Sequence, residues 1–289
     1  MFFNKIAILG VGLLGASFSL SAKKEGLCCQ ITGFGRSREN LERAKSMGII
    51  DVVATDPASA CSDADLVLLA APAGSFVELV KQACPAFKKG AIVTDVGSVK
   101  GNLVNELERL MPSGVHFIGS HPIAGSDRSG IGSAHNDLFR DTLCIVTPTE
   151  RSDPSALKSV MDFWSSLGST VMSMSPAQHD RVYAAVSHLP HLISYAMVNT
   201  VSDIDKSYLS YCGQGFRDMT RIAASSPEIW TDISLLNREN ILKMISVFRE
   251  NLTTIETHLK ASEAAALKQE FARASSARER IEQNRDNES

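Results

Sequence analysis

Four stretches of this chain carry residues whose types and spacing could do chemistry. The first is at the N-terminus, where Lys5 to Ser17 reads K-I-A-I-L-G-V-G-L-L-G-A-S. Ile6 to Leu9 form a wholly apolar run, the pattern of a strand buried on both faces of a parallel sheet. It passes directly into Gly10, Gly12 and Gly15, spaced G-x-G-x-x-G around Leu13 and Leu14, and then into a helical segment. In a dinucleotide site Gly10 allows the tight turn, Gly12 lets the backbone approach a pyrophosphate, and Gly15 lets helix and strand pack closely. The phosphates would rest on the free N–H groups and positive end of the helix. A signal peptide ending near Ser21–Ala22 is the competing reading. Three glycines inside the apolar core and the βαβ pattern that follows argue against it.

The second stretch is Ile118 to Asp127, I-G-S-H-P-I-A-G-S-D. His121 stands between a strand-like segment and a Gly/Pro-rich loop, an unusual place for a packing histidine. Beside a nicotinamide it would serve as the base that hydride transfer from an alcohol requires. The third, Ala177 to Val201, carries His179, His188 and His191. His188 and His191 share one helical face at i, i+3, with Pro190 between them as a potential kink. No cysteine or carboxylate completes a zinc set, so substrate binding or polar packing is the reading carried forward and no metal is expected. The fourth runs from Phe216 to Ile233, F-R-D-M-T-R-I-A-A-S-S-P-E-I-W-T-D-I. Asp218 lies three residues before Arg221, close enough to orient it on a helix.

The elements that must position these residues follow an alternating order. A helix through about residue 22 leads to a strand over 29–34. At its end, where a carboxylate would bind the ribose 2′-hydroxyl of NAD, stand Gly35, Arg36, Ser37 and Arg38. Arg36 and Ser37 suit a 2′-phosphate, which favours NADP over NAD; alternatively Ser37 only caps the next helix. Further strands are predicted near 52–53, over 65–71 and over 91–95, with helices over 41–47 and 76–83. Ala71-Pro72 and Asp95 to Lys100 (D-V-G-S-V-K) would line the crevice at the strand ends. Strands at 143–146 and 170–174 flank a helix at 155–167 and close the sheet. The pattern predicts an α/β protein with an N-terminal doubly wound parallel-sheet (Rossmann) domain over 1–175. An all-α C-terminal domain over 176–289 follows, its last amphipathic segment available to a second subunit, with residues 273–289 as a flexible tail.

Composition sets bounds. The chain has 289 residues, long enough for two domains, with a net charge of −3 that offers no electrostatic case for nucleic acid or an anionic membrane. No apolar run approaches the ~20 residues that span a bilayer. The six cysteines lack metal spacing and read as free thiols of a cytoplasmic protein.

Taken together, G-V-G-L-L-G-A-S, D-V-G-S-V-K, G-S-H-P-I-A-G-S, S-H-L-P-H and F-R-D-M-T-R-I-A-x-S-x-P-x-x-W resemble the prephenate/arogenate (cyclohexadienyl) dehydrogenases of tyrosine biosynthesis. The resemblance covers roughly residues 5–240. It implies oxidative decarboxylation of a 4-hydroxycyclohexadiene acid, with hydride passing to NADP or NAD and the ring becoming aromatic. It also implies His121 as base, Ser98 as the polar group beside it, and His191 and Arg221 as substrate-binding groups, with Asp218 holding the arginine. His188 belongs to the same motif. Asp127 stands where prephenate-using relatives often have Glu and would sense the substrate side chain. Arogenate and prephenate remain equal candidates. A β-hydroxyacid dehydrogenase or imine reductase shares the predicted architecture but gives S-H-P-I-A-G no role. A nucleotide-sensing regulator without turnover is opposed by the intact His121, Ser98 and Arg221.

Overall fold

The computed structural model describes residues 2–125 and 130–287, with side chains described as far as 281. Eight strands lie in the order β3-β2-β1-β4-β5-β6-β7-β8. They are β1 (Phe3–Leu9), β2 (Cys28–Phe34), β3 (Val52–Val53), β4 (Leu66–Leu69), β5 (Ile92–Asp95), β6 (His116–Pro122), β7 (Leu143–Thr147) and β8 (Thr170–Ser173). The first six are parallel, as their continuous apolar runs predict. The doubly wound, mostly parallel sheet is as expected, with one departure: β7 pairs antiparallel with β6, Ser120 opposite Val146 and His121 opposite Ile145. Among the described residues between β6 and β7 there is no crossover α-helix, as suits a reversal of the chain, and β8 is parallel to β7 again.

Helices α1 (Leu13–Lys24), α2 (Arg38–Ser46), α3 (Pro57–Cys61), α4 (Phe76–Ala83), α5 (Gly101–Leu110) and α6 (Pro154–Ser166) connect the strands. Ser37 caps α2 by accepting the Asn40 N–H, and the Asp153 carboxylate caps α6 at Ser155 and Ala156. The sheet is sandwiched between two apolar layers. On one side Phe18 stacks on Phe163 at 5.2 Å, with Trp164 edge-on to Phe18 and Phe139. On the other, Phe76, Val80 and Leu107 cover Leu69 and Val93. Trp164 also turns its indole N–H to the Ser120 hydroxyl at 3.0 Å, so the residue before His121 is fixed from beneath.

The predicted long helix over 177–201 is three pieces. They are α7 (Pro176–Tyr183), a π-helical turn over Ala184–His188, and α8 (Leu189–Ile204) with Pro190 in its first turn, where a missing N–H costs nothing. After α9 (Gln214–Thr220) the chain tightens into a 3₁₀ turn, so Arg221 opens that turn and does not sit mid-helix. α10 (Pro227–Leu236) follows, capped by Ser226.

Residues up to Asn240 form one compact unit and those from Ile241 onward a second. The second consists of most of α11 (Arg238–Lys260) and α12 (Ala264–Asn287), where Arg273 pairs with Glu270 and reaches Asn251. The segment read as a tail from 273 is therefore helical as far as Asn287; its Ala, Glu and Arg residues are strong helix formers. Among the described residues no helix is long and apolar enough to cross a membrane.

The glycine turn makes a differential prediction. Gly10 has φ +112°, and a Cβ there would lie 2.4 Å from the Ala71 nitrogen; at Gly12 a Cβ would meet nothing within 4 Å. Gly10→Ala should lower the free energy of urea unfolding by about 3 kcal/mol or more, whereas Gly12→Ala should stay within about 1 kcal/mol of wild type. Equal losses would contradict the assigned geometry.

Candidate active site

The site is built at the C-terminal ends of β1, β4, β5 and β6. A cavity of about 550 Å³ runs over the glycine turn, the end of β2 from Phe34 to Ser37, and Ala70 to Pro72 after β4. α1 starts on this cavity with no side-chain cap and no acid in its first turn. Its first N–H groups, those of Leu13 and Leu14, are thus left for an anion to satisfy. The side chains of Leu13 and Leu14 pack against the apolar core, so any part they take in binding falls to their backbone.

The far wall of this cavity is formed by α10. Glu228 reaches Arg36, its carboxylate 3.0 Å from the guanidinium, with both side chains well exposed. One turn on, Asp232 accepts the Gly74 N–H at 3.0 Å. Neither acid was singled out from the sequence. Their i, i+4 spacing on an amphipathic helix reads as a solvated face until the fold brings it to β2, almost 200 residues earlier.

The D-V-G-S-V-K loop after β5 does not line the crevice along its whole length. Asp95 and Lys100 are nearly inaccessible, at 1% and 0% exposure, while Gly97 and Ser98 between them are half-buried. The Asp95 carboxylate accepts the Ser120 N–H at 3.0 Å, the Gly97 N–H at 2.8 Å and the Lys100 ammonium. That ammonium also donates to the carbonyls of Gly97 and Val99, so all three of its protons are used. Burial pushes the Asp95 carboxyl up, opposed by Lys100 and by these hydrogen bonds.

His121 lies in β6 three residues beyond the last rung shared with β5, Thr94 opposite Ile118. Its ring Nδ1 is 2.9 Å from Nε2 of His179, and His179 Nδ1 is 2.9 Å from Oδ1 of Asp180. Oδ1 also accepts the Lys100 N–H at 2.8 Å, which joins the end of the β5 loop to α7. Tyr183, one turn after His179, stacks on the His179 ring at 4.5 Å and meets His121 edge-on at 4.8 Å. Burial, then the neighbouring His179, Lys100 and His188, hold His121 well below the usual histidine range. Burial lowers His179 to about 2 and His188 to about 4. All three are neutral at pH 7, and a neutral imidazole can accept a proton.

His188 and His191 do not converge. His188 is buried with its Nδ1 3.1 Å from Asn237 Nδ2, whose other bond goes to the Asp180 carbonyl. His191 is half-buried, lies 3.0 Å from the Ser187 carbonyl through Nδ1, and stacks on Trp230 with centroids 3.6 Å apart. Burial lowers its pKa, the Ser187 carbonyl opposes this, and Arg221 lowers it again, which places the guanidinium near this ring. Asp218 accepts a hydrogen bond from Gln214 at 2.7 Å. Asp127 lies outside the described residues. His179, Asp180 and Trp230 were not identified as site residues from the sequence. The only local signal was a His-Asp pair in a helix opened by Ser175-Pro176, with an aromatic residue four positions on.

The buried histidines make stability depend on pH. The unfolded chain protonates near 6.5, whereas folded His188 does so near 4 and His179 near 2. Their contribution is complete above pH 6.5 and is lost as pH falls towards 4, because the unfolded chain takes up protons that the fold excludes. The urea unfolding free energy should drop by about 2 kcal/mol between pH 7 and pH 5.5. A flat or rising profile would contradict their burial as neutral rings.

Comparison with known proteins identifies the family. The family described as "Prephenate dehydrogenase, nucleotide-binding domain" matches residues 18–173, and "Prephenate dehydrogenase, dimerization domain" matches residues 175–273. The chain is 32% identical to a cyclohexadienyl dehydrogenase of Zymomonas mobilis over 280 residues, covering 96% of this chain and 95% of that one. It is also 32% identical to a prephenate dehydrogenase of Bacillus subtilis over 268 residues, covering 91% and 72%. Among solved structures, the prephenate dehydrogenase of Aquifex aeolicus in complex with hydroxyphenyl propionate and NAD+ superposes with a TM-score of 0.90. That structure shares 35% identity, over 96% of this chain and 98% of that one. The arogenate dehydrogenase of Synechocystis gives 0.80 at 28% identity, over 96% and 99%. This chain belongs to the prephenate dehydrogenase family of NAD(P)-dependent dehydrogenases.

Proposed function

We propose that the chain oxidatively decarboxylates prephenate and arogenate to 4-hydroxyphenylpyruvate and tyrosine, with His121 as the base. The observation that carries this reading is a neutral His121 at the strand end next to the dinucleotide cavity, its ring held from one side by His179 and Tyr183. When bound, the dinucleotide accepts hydride from the carbinol carbon of the substrate ring. His121 takes the hydroxyl proton. Loss of CO₂ and aromatisation make the step downhill, so the chain has mainly to align the reactants and remove that proton.

The remaining roles are those that the family motifs imply. Ser98, half-buried on the loop that Asp95 and Lys100 tie down, helps to fix the imidazole and touches the substrate. Arg221 pairs a substrate carboxylate with its planar fork, Asp218 supports it, and His191, stacked on Trp230, hydrogen-bonds the same end. His188 backs the Ser98 loop. For Asp127, which lies outside the described residues, the motif suggests a part in sensing the substrate side chain, favouring the ammonium of arogenate. His191 matches the prephenate-using relatives, and both substrates are accepted.

Gly10, Gly12, Gly15, the N–H groups of Leu13 and Leu14, and Ala71-Pro72 hold the dinucleotide. Arg36 and Ser37 give affinity for NADP, because no carboxylate ends β2 and a 2′-phosphate can replace Glu228 as the partner of Arg36. NAD, which the Aquifex relative holds, is the second cofactor. Residues 1–175 form the nucleotide domain and 176–289 the substrate and dimerisation domain of a cytoplasmic homodimer. Apolar side chains exposed on α10 and α11, such as Leu235, Leu242 and Val247, would be covered there.

The test is turnover of purified protein with prephenate or arogenate and NAD or NADP, read at the reduced nicotinamide band; none with any pair would contradict the proposal. His121→Asn should cut kcat by roughly 100-fold or more while leaving dinucleotide binding nearly intact. Arg221→Ala should raise KM by about tenfold or more with a smaller effect on kcat. Arg36→Ala should weaken NADP more than NAD; equal losses would remove the 2′-phosphate assignment.

A further inference from the structure

We infer that His179 is a positioning residue that sets the tautomer of His121, so that His121 presents a bare Nε2 to the substrate hydroxyl. The inference rests on His121 being the base. Three hydrogen bonds in series carry it. The backbone N–H of Lys100 can only donate, and it ends on Oδ1 of Asp180 at 2.8 Å. That oxygen is therefore an acceptor, and the second group against it, His179 Nδ1 at 2.9 Å, must bring the hydrogen. A neutral imidazole has one N–H, so His179 Nε2 is left with a lone pair. The atom facing it, Nδ1 of His121 at 2.9 Å, must then donate. The single hydrogen of neutral His121 is thereby committed to Nδ1, and Nε2 is unprotonated.

Packing leaves this series few other arrangements. His179 is fully buried and Asp180 nearly so, at 0% and 3% exposure. Tyr183 lies flat on the His179 ring and edge-on to His121, which limits rotation of either imidazole. Asn237 holds the Asp180 carbonyl from α10's end, and Ser175 caps the helix that carries the His-Asp pair. Without an acceptor at position 179, His121 would be free to carry its hydrogen on Nε2. The ring would then point a donor at the hydroxyl whose proton it has to take. When His121 does take that proton at Nε2, its Nδ1–H stays on the His179 lone pair and the new positive charge is shared along the series towards the Asp180 carboxylate.

The experiment compares two variants of almost equal shape, His179→Gln, which can return an acceptor oxygen, and His179→Met, which cannot. In wild type, ¹⁵N spectra of the histidine rings at neutral pH should show a protonated Nδ1 and an unprotonated Nε2 for His121, assigned by their loss in His121→Asn. His179→Met should lose kcat on the order of 100-fold, with the substrate and dinucleotide KM values within about threefold of wild type. His179→Gln should recover at least tenfold of that loss. Urea unfolding and dinucleotide binding report whether each variant is folded. Equal kcat in the two variants, a loss confined to KM, or a protonated Nε2 in wild type would overturn the inference. The ring spectra are read without turnover. If His121→Asn keeps its activity while the wild-type tautomer is as described, it is the base assignment that fails and not the tautomer.

Discussion

One buried ion pair organises this site. Asp95 and Lys100 close a loop of only four intervening residues, and each charge is saturated by hydrogen bonds from the same loop or from β6. Two charges taken out of water are costly, and this buried pair is offset by three hydrogen bonds to the carboxylate and by a partner for each ammonium proton. What the arrangement contributes is position. The carboxylate continues the ladder between β5 and β6 past the last backbone rung, which fixes Ser120 and hence His121. The ammonium, donating to the Gly97 and Val99 carbonyls, folds the loop back on itself and leaves Gly97 and Ser98 half-buried. Removing either partner would leave a buried charge uncompensated, at a cost of about 3–5 kcal/mol.

From that loop the order extends in two directions. The Lys100 N–H hands the geometry on to Asp180, and through His179 to the far side of His121, so the imidazole is approached from β6 and from α7 together. On the other side of the sheet ends, the glycine turn and the start of α1, which has no side-chain cap, line the cavity. Its far wall, Glu228 and Asp232, comes from α10. The helical segments therefore do two jobs near one cavity. α7 holds His179 against His121, while α10 brings Trp230 onto the His191 ring and Glu228 and Asp232 to Arg36 and Gly74.

Much of this was legible in the sequence because it is local. The apolar run before G-x-G-x-x-G, the alternation of strands and helices, Ser37 as a cap and Phe76 to Ala83 as a helix each depend on neighbours within a few residues. His121 stood out because its surroundings were wrong for packing. The parts that were not legible are long-range. Asp95 and Lys100 read as crevice residues, because nothing in D-V-G-S-V-K says that two opposite charges will bury one another. In the sequence His179 groups with His188 and His191 but has no evident partner, and Asp180 does not stand out; the fold places them against residues 58 and 80 positions earlier. The reversal of β7 depended on the absence of a crossover helix, and the π-helical turn before Pro190 is a local repacking that no periodicity announces. α12 was underestimated because polarity was taken as looseness, although Ala, Glu and Arg favour a helix.

The central claim is that a neutral, oriented His121 removes the hydroxyl proton. The most direct measurement is the pH dependence of kcat/KM in the wild-type protein. Burial and the neighbouring His179, Lys100 and His188 place the protonation of His121 below 6.5. Activity should therefore be level from pH 7.5 down to about 6.5, then fall with a single protonation at lower pH. An acid limb centred above 6.5 would contradict it, as would the same limb surviving in the residual activity of His121→Asn.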